Sequence, residues 1–221
     1  MKQLRAKRPF SLGVVLLAAG RSTRMGRPKL LLPWGRTSVL GHLVRQWHAL
    51  GAKQIAVVFA PDDAAMRLEL DRLGFPALDR IINPAPQRGM FSSTQCAAQW
   101  PGWDTAITHW AIVLGDQPHL EPQTLRSVLK FSAAHPASVC QPARLGRPRH
   151  PVLLPKAIFR RLATSTAPTL KEFLAASSRR VALCELDDPG LDRDIDRPED
   201  YQQALKAKQR LNLPPFPANN G

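Results

Sequence analysis

Leu16-Leu17-Ala18-Ala19-Gly20-Arg21-Ser22-Thr23-Arg24-Met25-Gly26-Arg27-Pro28-Lys29 is the stretch on which the reading of this chain turns. It opens at the end of a short continuous apolar run, Gly13 to Leu17, the pattern of a strand buried on both faces. The loop that follows carries Gly20 and Gly26, where the backbone can turn tightly and come close to a ligand, and the candidate phosphate-binding cations Arg21, Arg24 and Lys29. Together with backbone N–H groups, those charges suit a triphosphate. The spacing matches neither G-x-x-x-x-G-K-[ST] nor G-x-G-x-x-G, which argues against a Walker-type kinase and a dinucleotide-binding dehydrogenase. Taken alone, the loop also reads as an Arg-rich exposed turn without a ligand.

Outward from this loop, strand and helix patterns alternate. Ser38 to Leu50 carries a helical apolar stripe (Val39, Leu40, Leu43, Val44, Trp47, Leu50) with Thr37 or Ser38 as N-cap. Further strands are expected at Gln54 to Phe59, Ile81-Ile82, Trp110 to Leu114, Ser138 to Pro142, Val152 to Leu154 and Val181 to Leu186. Helices are expected at Asp62 to Leu73, Ser92 to Gln99, Pro122 to Ala134, Lys156 to Leu162, Thr169 to Ala176 and Pro198 to Lys208. That alternation implies an α/β fold built on a mostly parallel sheet with right-handed crossovers. On such a sheet ligands sit beyond the carboxyl ends of the strands.

The chain has 221 residues, 44% hydrophobic and 22% charged, and reads as a single domain over 11–208. Residues 1–10 read as a basic flexible tail (Lys2, Arg5, Lys7, Arg8) and 209–221 as a Pro-containing disordered tail. Lys plus Arg number 31 against 17 Asp plus Glu, a net charge of +14 that favours anionic partners. Cys96, Cys140 and Cys184 show no C-x-x-C or Cys/His ligand spacing, so they read as small, largely buried residues in a reducing compartment. His42, His48, His109, His119 and His135 lack ligand spacing too. The longest apolar run, Val14 to Ala19, is too short for a bilayer, and no apolar segment of signal-peptide type follows the basic N-terminus. No membrane role is expected, and the cytoplasm is the expected location.

Three further places where strands should end carry chemistry-bearing residues. Gly115-Asp116-Gln117-Pro118 puts a carboxylate at the end of a buried strand, where it suits Mg²⁺, an ion that takes one or two carboxylates plus phosphate oxygens; it also suits a turn or a helix cap. Asp194 and Asp196 share one face if their segment is extended, and either would complete a metal site, although Arg197-Pro-Glu-Asp200 is also a plain helix start. In Gln87-Arg88-Gly89-Met90-Phe91-Ser92-Ser93-Thr94, Arg88, Gly89, Ser92 and Ser93 suit a nucleotide contact at a helix N-terminus, with Ser92 or Ser93 equally readable as a simple N-cap. Arg147, Arg149 and His150 suit a second, phosphorylated substrate, or a solvated basic hairpin.

The set Leu-Ala-Ala-Gly-x-Ser-x-Arg-Met-Gly-x-x-Lys, Arg-Gly-Met-Phe-Ser-Ser, Gly-Asp-Gln-Pro, Arg-His-Pro-Val and Asp-Ile-Asp-x-Pro-Glu-Asp resembles, in the same order, the molybdenum cofactor nucleotidyltransferases, and their cytidylyltransferase branch most closely. The resemblance runs over about residues 12–207. It implies a Rossmann-like nucleotidyltransferase fold and Mg²⁺-dependent transfer of CMP from CTP to a molybdopterin-type phosphorylated acceptor, with release of pyrophosphate. It places Leu17, Ala18, Ala19, Gly20, Arg21, Ser22 and Gly26 around the nucleotide, Lys29 on phosphate and Mg²⁺ on Asp116. Leu17-Ala18-Ala19-Gly20 stands where the guanylyl branch usually has Leu-Ala-Gly-Gly, which favours CTP. A molybdoenzyme or its maturation chaperone would be the downstream partner. Arg24, Lys29 and Asp116 are then the catalytic group, with Asp194 or Asp196 completing the metal site. One departure touches the acceptor side: where cytidylyl members commonly carry Gly-Asp-x-Gly-Ala-Arg, this chain has Ser165-Thr-Ala-Pro-Thr-Leu-Lys-Glu-Phe173. Two rivals stand: the same chemistry on another acceptor such as a sugar phosphate, and a non-catalytic basic binding protein. The chain lacks any nucleic-acid module or aromatic-interleaved basic patch, so no nucleic acid is expected.

Overall fold

β1 (Leu12–Leu17) is the axis around which the rest is arranged, and its side chains alternate between two cores. The computed structural model describes residues 10–176 and 181–211. In chain order β1 is followed by a hairpin of β2 (Pro33–Trp34) and β3 (Thr37–Ser38), then α1 (Val39–Ala49), β4 (Gln54–Phe59), α2 (Ala64–Arg72) and β5 (Arg80–Ile82). Next come α3 (Met90–Gln99), β6 (His109–Leu114), α4 (Pro122–Ala134), β7 (Val139–Arg144), β8 (Arg147–Pro148) and β9 (Val152–Pro155). The chain continues through α5 (Lys156–Leu162), α6 (Leu170–Ala175), β10 (Val181–Glu185) and α7 (Pro198–Leu211). The expected tail from 209 is therefore helical as far as 211; the remainder of both expected tails, 1–9 and 212–221, lies outside the described residues. Among the described residues no helix is long and apolar enough to cross a membrane.

The main sheet runs β10-β7-β9-β6-β1-β4-β5, with β8 paired to β7. β6, β1, β4 and β5 are mutually parallel, as are β10 and β7, so the mostly parallel sheet read from the sequence is the one observed. β9 runs antiparallel to β6 and β7. Leu12, Val14 and Leu16 of β1 join Ile55, Val57 and Phe59 of β4 against Leu40, Leu43 and Trp47 of α1 and Leu125 and Val128 of α4. Val15, Ala56, Val58 and Ile112 face the other way, onto Ala97 of α3, Ile158 and Phe159 of α5 and Phe173 of α6. Each fully buried Leu, Val or Phe contributes about 1.5–3 kcal/mol, so a one-residue slip of β1 would reverse the faces of the whole strand at high cost. Gly13 has no side chain for a reason: a Cβ there would lie 2.9 Å from Trp110 Nε1, and the Trp110 indole fills that space, stacked 4.3 Å from the Phe159 ring.

Helix starts follow the capping chemistry. Ser38, rather than Thr37, caps α1 and accepts from Gly41 N at 3.0 Å; Asp63 caps α2 through Met66 N at 2.9 Å; Thr169 caps α6 through Glu172 N. Cys140 and Cys184 are buried and Cys96 is half-buried, all three as free thiols. On α1, burial first, then the Lys208 and Arg45 charges, push the His42 imidazole down to about 4. The folded chain therefore keeps His42 neutral, while an unfolded His takes up a proton below about pH 6.5. Stability is full above that pH and falls as pH drops from about 6.5 towards 4. Urea unfolding at pH 7 and pH 5 should show the native protein losing about 1–2 kcal/mol more than His42→Gln over that interval. Equal losses in the two proteins would remove His42 from the acid sensitivity.

Candidate active site at the carboxyl ends of the central strands

Because β1, β4, β5 and β6 are parallel, the loops that leave their carboxyl ends gather on one edge of the sheet. After β1 the backbone is held one residue further by Ala18 N donating to Val58 O at 2.8 Å. Ser22 then adopts the left-handed region (φ 49°), a short 3-10 turn covers Thr23–Met25, and Gly26 takes φ 69°, which a side chain would strain. Met25 is buried and anchors the loop in the core. Ser22 Oγ accepts from Lys29 N at 3.2 Å and closes the loop into a ring. Gly20, by contrast, has open space where a Cβ would be and no positive φ, so its contribution is a bare surface.

The β1 loop meets the β6 loop through Leu30 and Gly115. A Cβ on Gly115 would lie 2.6 Å from Leu30 Cδ2, so the bare Cα lets the two loops touch. Asp116 follows, with its backbone carbonyl accepting from Ile195 N at 2.9 Å. That bond, with Ile195 buried, places Asp194 and Asp196 on either side of it, beside Asp116. Lys29 Nζ lies 2.8 Å from Asp116 Oδ2 and 3.4 Å from Asp196 Oδ1, and Arg24 Nη1 lies 2.7 Å from Asp196 Oδ2. Asp194 Oδ1 accepts from Gln117 Nε2 at 2.9 Å. Desolvation first, then the Asp116 charge, lift the Asp194 carboxyl above the usual carboxylate range. Asp116 Oδ1 is buried and has no hydrogen-bond partner.

A cavity of about 300 Å³ opens beside these groups. Its walls are Leu17 to Ser22 and Lys29 from the β1 loop, Leu114 to Asp116 from β6, and Gln87, Gly89, Met90 and Ser93 from the approach to α3. Arg24, Gly26, Arg88, Ser92, Asp194 and Asp196 lie outside that wall, and Arg88 is exposed. The helix starts at Met90, two residues before the expected Ser92, so neither Ser92 nor Ser93 is its cap; Gly89 (φ 89°) holds that position. Ser92 Oγ instead donates to Gly89 O and receives Asn83 Nδ2 at 2.8 Å. Asn83, buried, was not singled out from the sequence, although a polar residue between an apolar pair and Pro84 was the available signal. The short β2–β3 hairpin, turning on Gly35 at φ 67°, was also not anticipated; Trp34-Gly-Arg-Thr37 was its cue.

Of the residues assigned to an acceptor, Arg149 does not point freely into a site. Its guanidinium lies 2.6 Å from Asp192 Oδ1, and Arg144 Nη1 reaches Asp192 Oδ2 at 2.5 Å. Arg147 is exposed on β8. His150 sits within 3.5 Å of Ile112 O, and burial lowers its pKa, opposed in part by the Asp116 charge. Among the described residues no three His, Cys, Asp or Glu side chains converge as a ready-made metal cage. The space between Asp116 and Asp196 is instead shared with the Lys29 ammonium, so this acidic group would hold a divalent cation only together with oxygens brought by a ligand.

A mostly parallel α/β sheet that ends in a cationic loop facing an acidic turn suits a nucleotidyltransferase, the enzyme class in which the family match puts the protein. Over residues 14–181 it matches the MobA-like NTP transferase domain family, and the chain belongs to that family. The crystal structure of Rv0371c from Mycobacterium tuberculosis H37Rv is 28% identical, with a TM-score of 0.69 over 90% of this chain and 98% of that one. A structure of Rv0371c in complex with manganese is 25% identical, with a TM-score of 0.64 over 89% of this chain and 99% of that one. The bifunctional protein GlmU of Pseudomonas fluorescens Pf0-1 is 36% identical over 125 residues, 55% of this chain and 25% of that protein. The chain thus matches only about a quarter of the length of that curated relative.

Proposed function

We propose that this enzyme transfers CMP from CTP to the phosphate of a molybdopterin-type acceptor in the cytoplasm, with Mg²⁺ as cofactor and pyrophosphate as the leaving group. A molybdoenzyme or its maturation chaperone would then take the product. The observation that carries the reading is Lys29, poised 2.8 Å from Asp116 on the wall of a nucleotide-sized cavity. The orphaned Asp116 Oδ1, the flanking Asp194 and Asp196, and the existence of a manganese complex of Rv0371c support a divalent cation here. When bound, Mg²⁺ would neutralise phosphate charge.

The remaining work belongs to the chain. The backbone from Ala18 to Ser22 and the Gly89–Met90 wall hold the nucleotide, and Arg24 and Lys29 exchange carboxylate partners for phosphate oxygens when it enters. An acceptor phosphate oxygen then forms a bond to the α-phosphorus in line with the bond that breaks. The α–β bridging oxygen leaves with that electron pair as part of pyrophosphate, its charge met by Lys29 and Arg24. No side-chain nucleophile is required, since such chemistry is positioning and electrostatics. Ala19, standing where the guanylyl branch of the resembling family usually has Gly, supports CTP over GTP. A sugar phosphate as acceptor is the second reading, favoured by Ser165–Phe173 standing where the cytidylyltransferases that the chain resembles commonly carry Gly-Asp-x-Gly-Ala-Arg.

Pyrophosphate release with molybdenum cofactor as acceptor should be at least about tenfold faster with CTP than with GTP, and should fall to background in EDTA. Turnover on a sugar phosphate and none on the cofactor would replace the acceptor while leaving the transferase intact.

A further inference from the structure

The molecule has a second, larger hollow that the proposed chemistry does not use. About 640 Å³ in volume, it lies between α1, the segment Pro118–Gln123, the start of α4 and the end of α7. None of the residues around the nucleotide cavity lines it. Buried Leu120 and half-buried Leu50 give it an apolar floor, exposed Ala49 and Pro122 extend that apolar lining, and Arg45, Arg126 and Lys208 line it too. Lys208 is half-buried here, while Arg45 and Arg126 are exposed. Here, among the described residues, Arg45, Arg126 and Lys208 take part in none of the ion pairs, and neither does Glu121, the one carboxylate lining the hollow.

The cost of gathering this charge is visible. Lys208 Nζ sits 4.8 Å over the Trp34 ring, and its pKa is lowered by desolvation first and by Arg45 second. His42 in the same wall is held neutral at pH 7 by burial and by the Lys208 and Arg45 charges. Gln46, Trp34 and His119, which also line the hollow, each keep one buried polar atom without a partner. An apolar floor under unmatched cations is complementary to an anion with an apolar body.

We propose that this hollow is a second ligand site, separate from the nucleotide cavity, for a small organic anion: a carboxylate, sulfonate or phosphate on a flat hydrophobic frame. Its volume suits one such molecule. The apolar frame would lie on Ala49, Leu50 and Leu120, and the anionic group would be met by Arg45, Arg126 and Lys208. The segment that forms its wall, Pro118–Gln123, continues directly from Asp116 and Gln117, so an occupant would sit behind the loop that carries the proposed metal ligand.

Anilinonaphthalene sulfonate, a flat aromatic anion that fluoresces on leaving water, is the probe. Titrated into the full chain, it should saturate at one site, and CTP with Mg²⁺ at saturation should not displace it. The double variant Arg45→Glu/Arg126→Glu, both exposed positions, and Ala49→Trp, which fills the floor, should each weaken binding at least about tenfold. Unchanged urea midpoints would show that both variants are folded. Retained affinity in either variant, displacement by CTP, or absence of saturable binding would overturn the proposal. The outcome does not depend on which nucleotide or acceptor the enzyme uses.

Discussion

Lys29→Ala and Asp116→Asn are each expected to lower kcat/KM for pyrophosphate release by about 10³-fold, the scale seen when one electrostatic partner of a developing charge is removed. The two should act through different parts of the same group. Lys29 bridges Asp116 and Asp196 in the ligand-free chain, so removing it leaves Asp116, Asp194 and Asp196 close together without their shared cation. Because the Lys29 and Asp116 side chains are only 19% and 20% exposed, Lys29→Ala should also cost about 3 kcal/mol of stability, so turnover is to be read on protein shown to be folded. Asp116→Asn also loses the Lys29 pair but relieves repulsion with Asp194 and Asp196, so its stability cost should be the smaller of the two, while the dependence of nucleotide binding on divalent cation disappears. The double variant should be little worse than either single one, since residues that act as a unit lose their effect together. A folded Lys29→Ala protein with native turnover would remove this cluster from the chemistry.

The charge pairing has a consequence for how the site loads. At the place where we propose that phosphates bind, Lys29 is paired with Asp116 and Asp196, and Arg24, though 66% exposed, with Asp196. A nucleotide with its cation replaces one balanced set of charges by another. Neither set need be buried unpaired at any stage, which avoids the several-kcal/mol cost of an isolated buried charge.

The layering was legible in the sequence because it depends on local periodicity. Gly13 to Leu17 and Trp110 to Leu114 are apolar without a break, and both turned out to be central strands buried on two faces. Thr37 or Ser38 and Pro122 marked helix starts through capping or first-turn chemistry that acts over three residues, and Ser38 is the cap of α1. Asp116 could be placed beside the phosphate loop because β1 and β6 end on the same edge when they are parallel. Convergence across long separations was not legible. Nothing local says that Ile195 will bind Asp116 O across 79 positions, or that Asp192 will pair with both Arg144 and Arg149. Ser92 and Ser93 misled for a related reason. Their hydroxyls suggested a cap, but the Gly89 backbone starts α3, and the hydroxyls are needed by a buried partner nine and ten residues upstream.

That partner supports the last large effect. Asn83 is 1% exposed and holds the loop after β5 to the first turn of α3. Its Nδ2 donates to Ser92 Oγ at 2.8 Å and to Ser93 Oγ at 2.9 Å, its Oδ1 accepts from Ala85 N at 2.9 Å, and its backbone N donates to Phe59 O. Asn83→Ala keeps only the last of these. It leaves a buried N–H and two hydroxyls short of partners, together with a small void, for an expected loss of about 2–3 kcal/mol in urea unfolding. The same change should loosen Gln87, Gly89 and Met90, which wall the proposed nucleotide cavity from the approach to α3, whereas Lys29 and Asp116 come from the β1 and β6 loops. The KM for the nucleotide should therefore rise about tenfold while kcat stays within about threefold, the pattern of lost uniform binding rather than lost transition-state stabilisation. Ser92→Ala, which leaves Asn83 Nδ2 its bond to Ser93, should show less than half of both effects. An unchanged urea midpoint for Asn83→Ala, or a collapse of kcat at constant KM, would contradict this role. The second result would move Asn83 from the wall of the site into its chemistry.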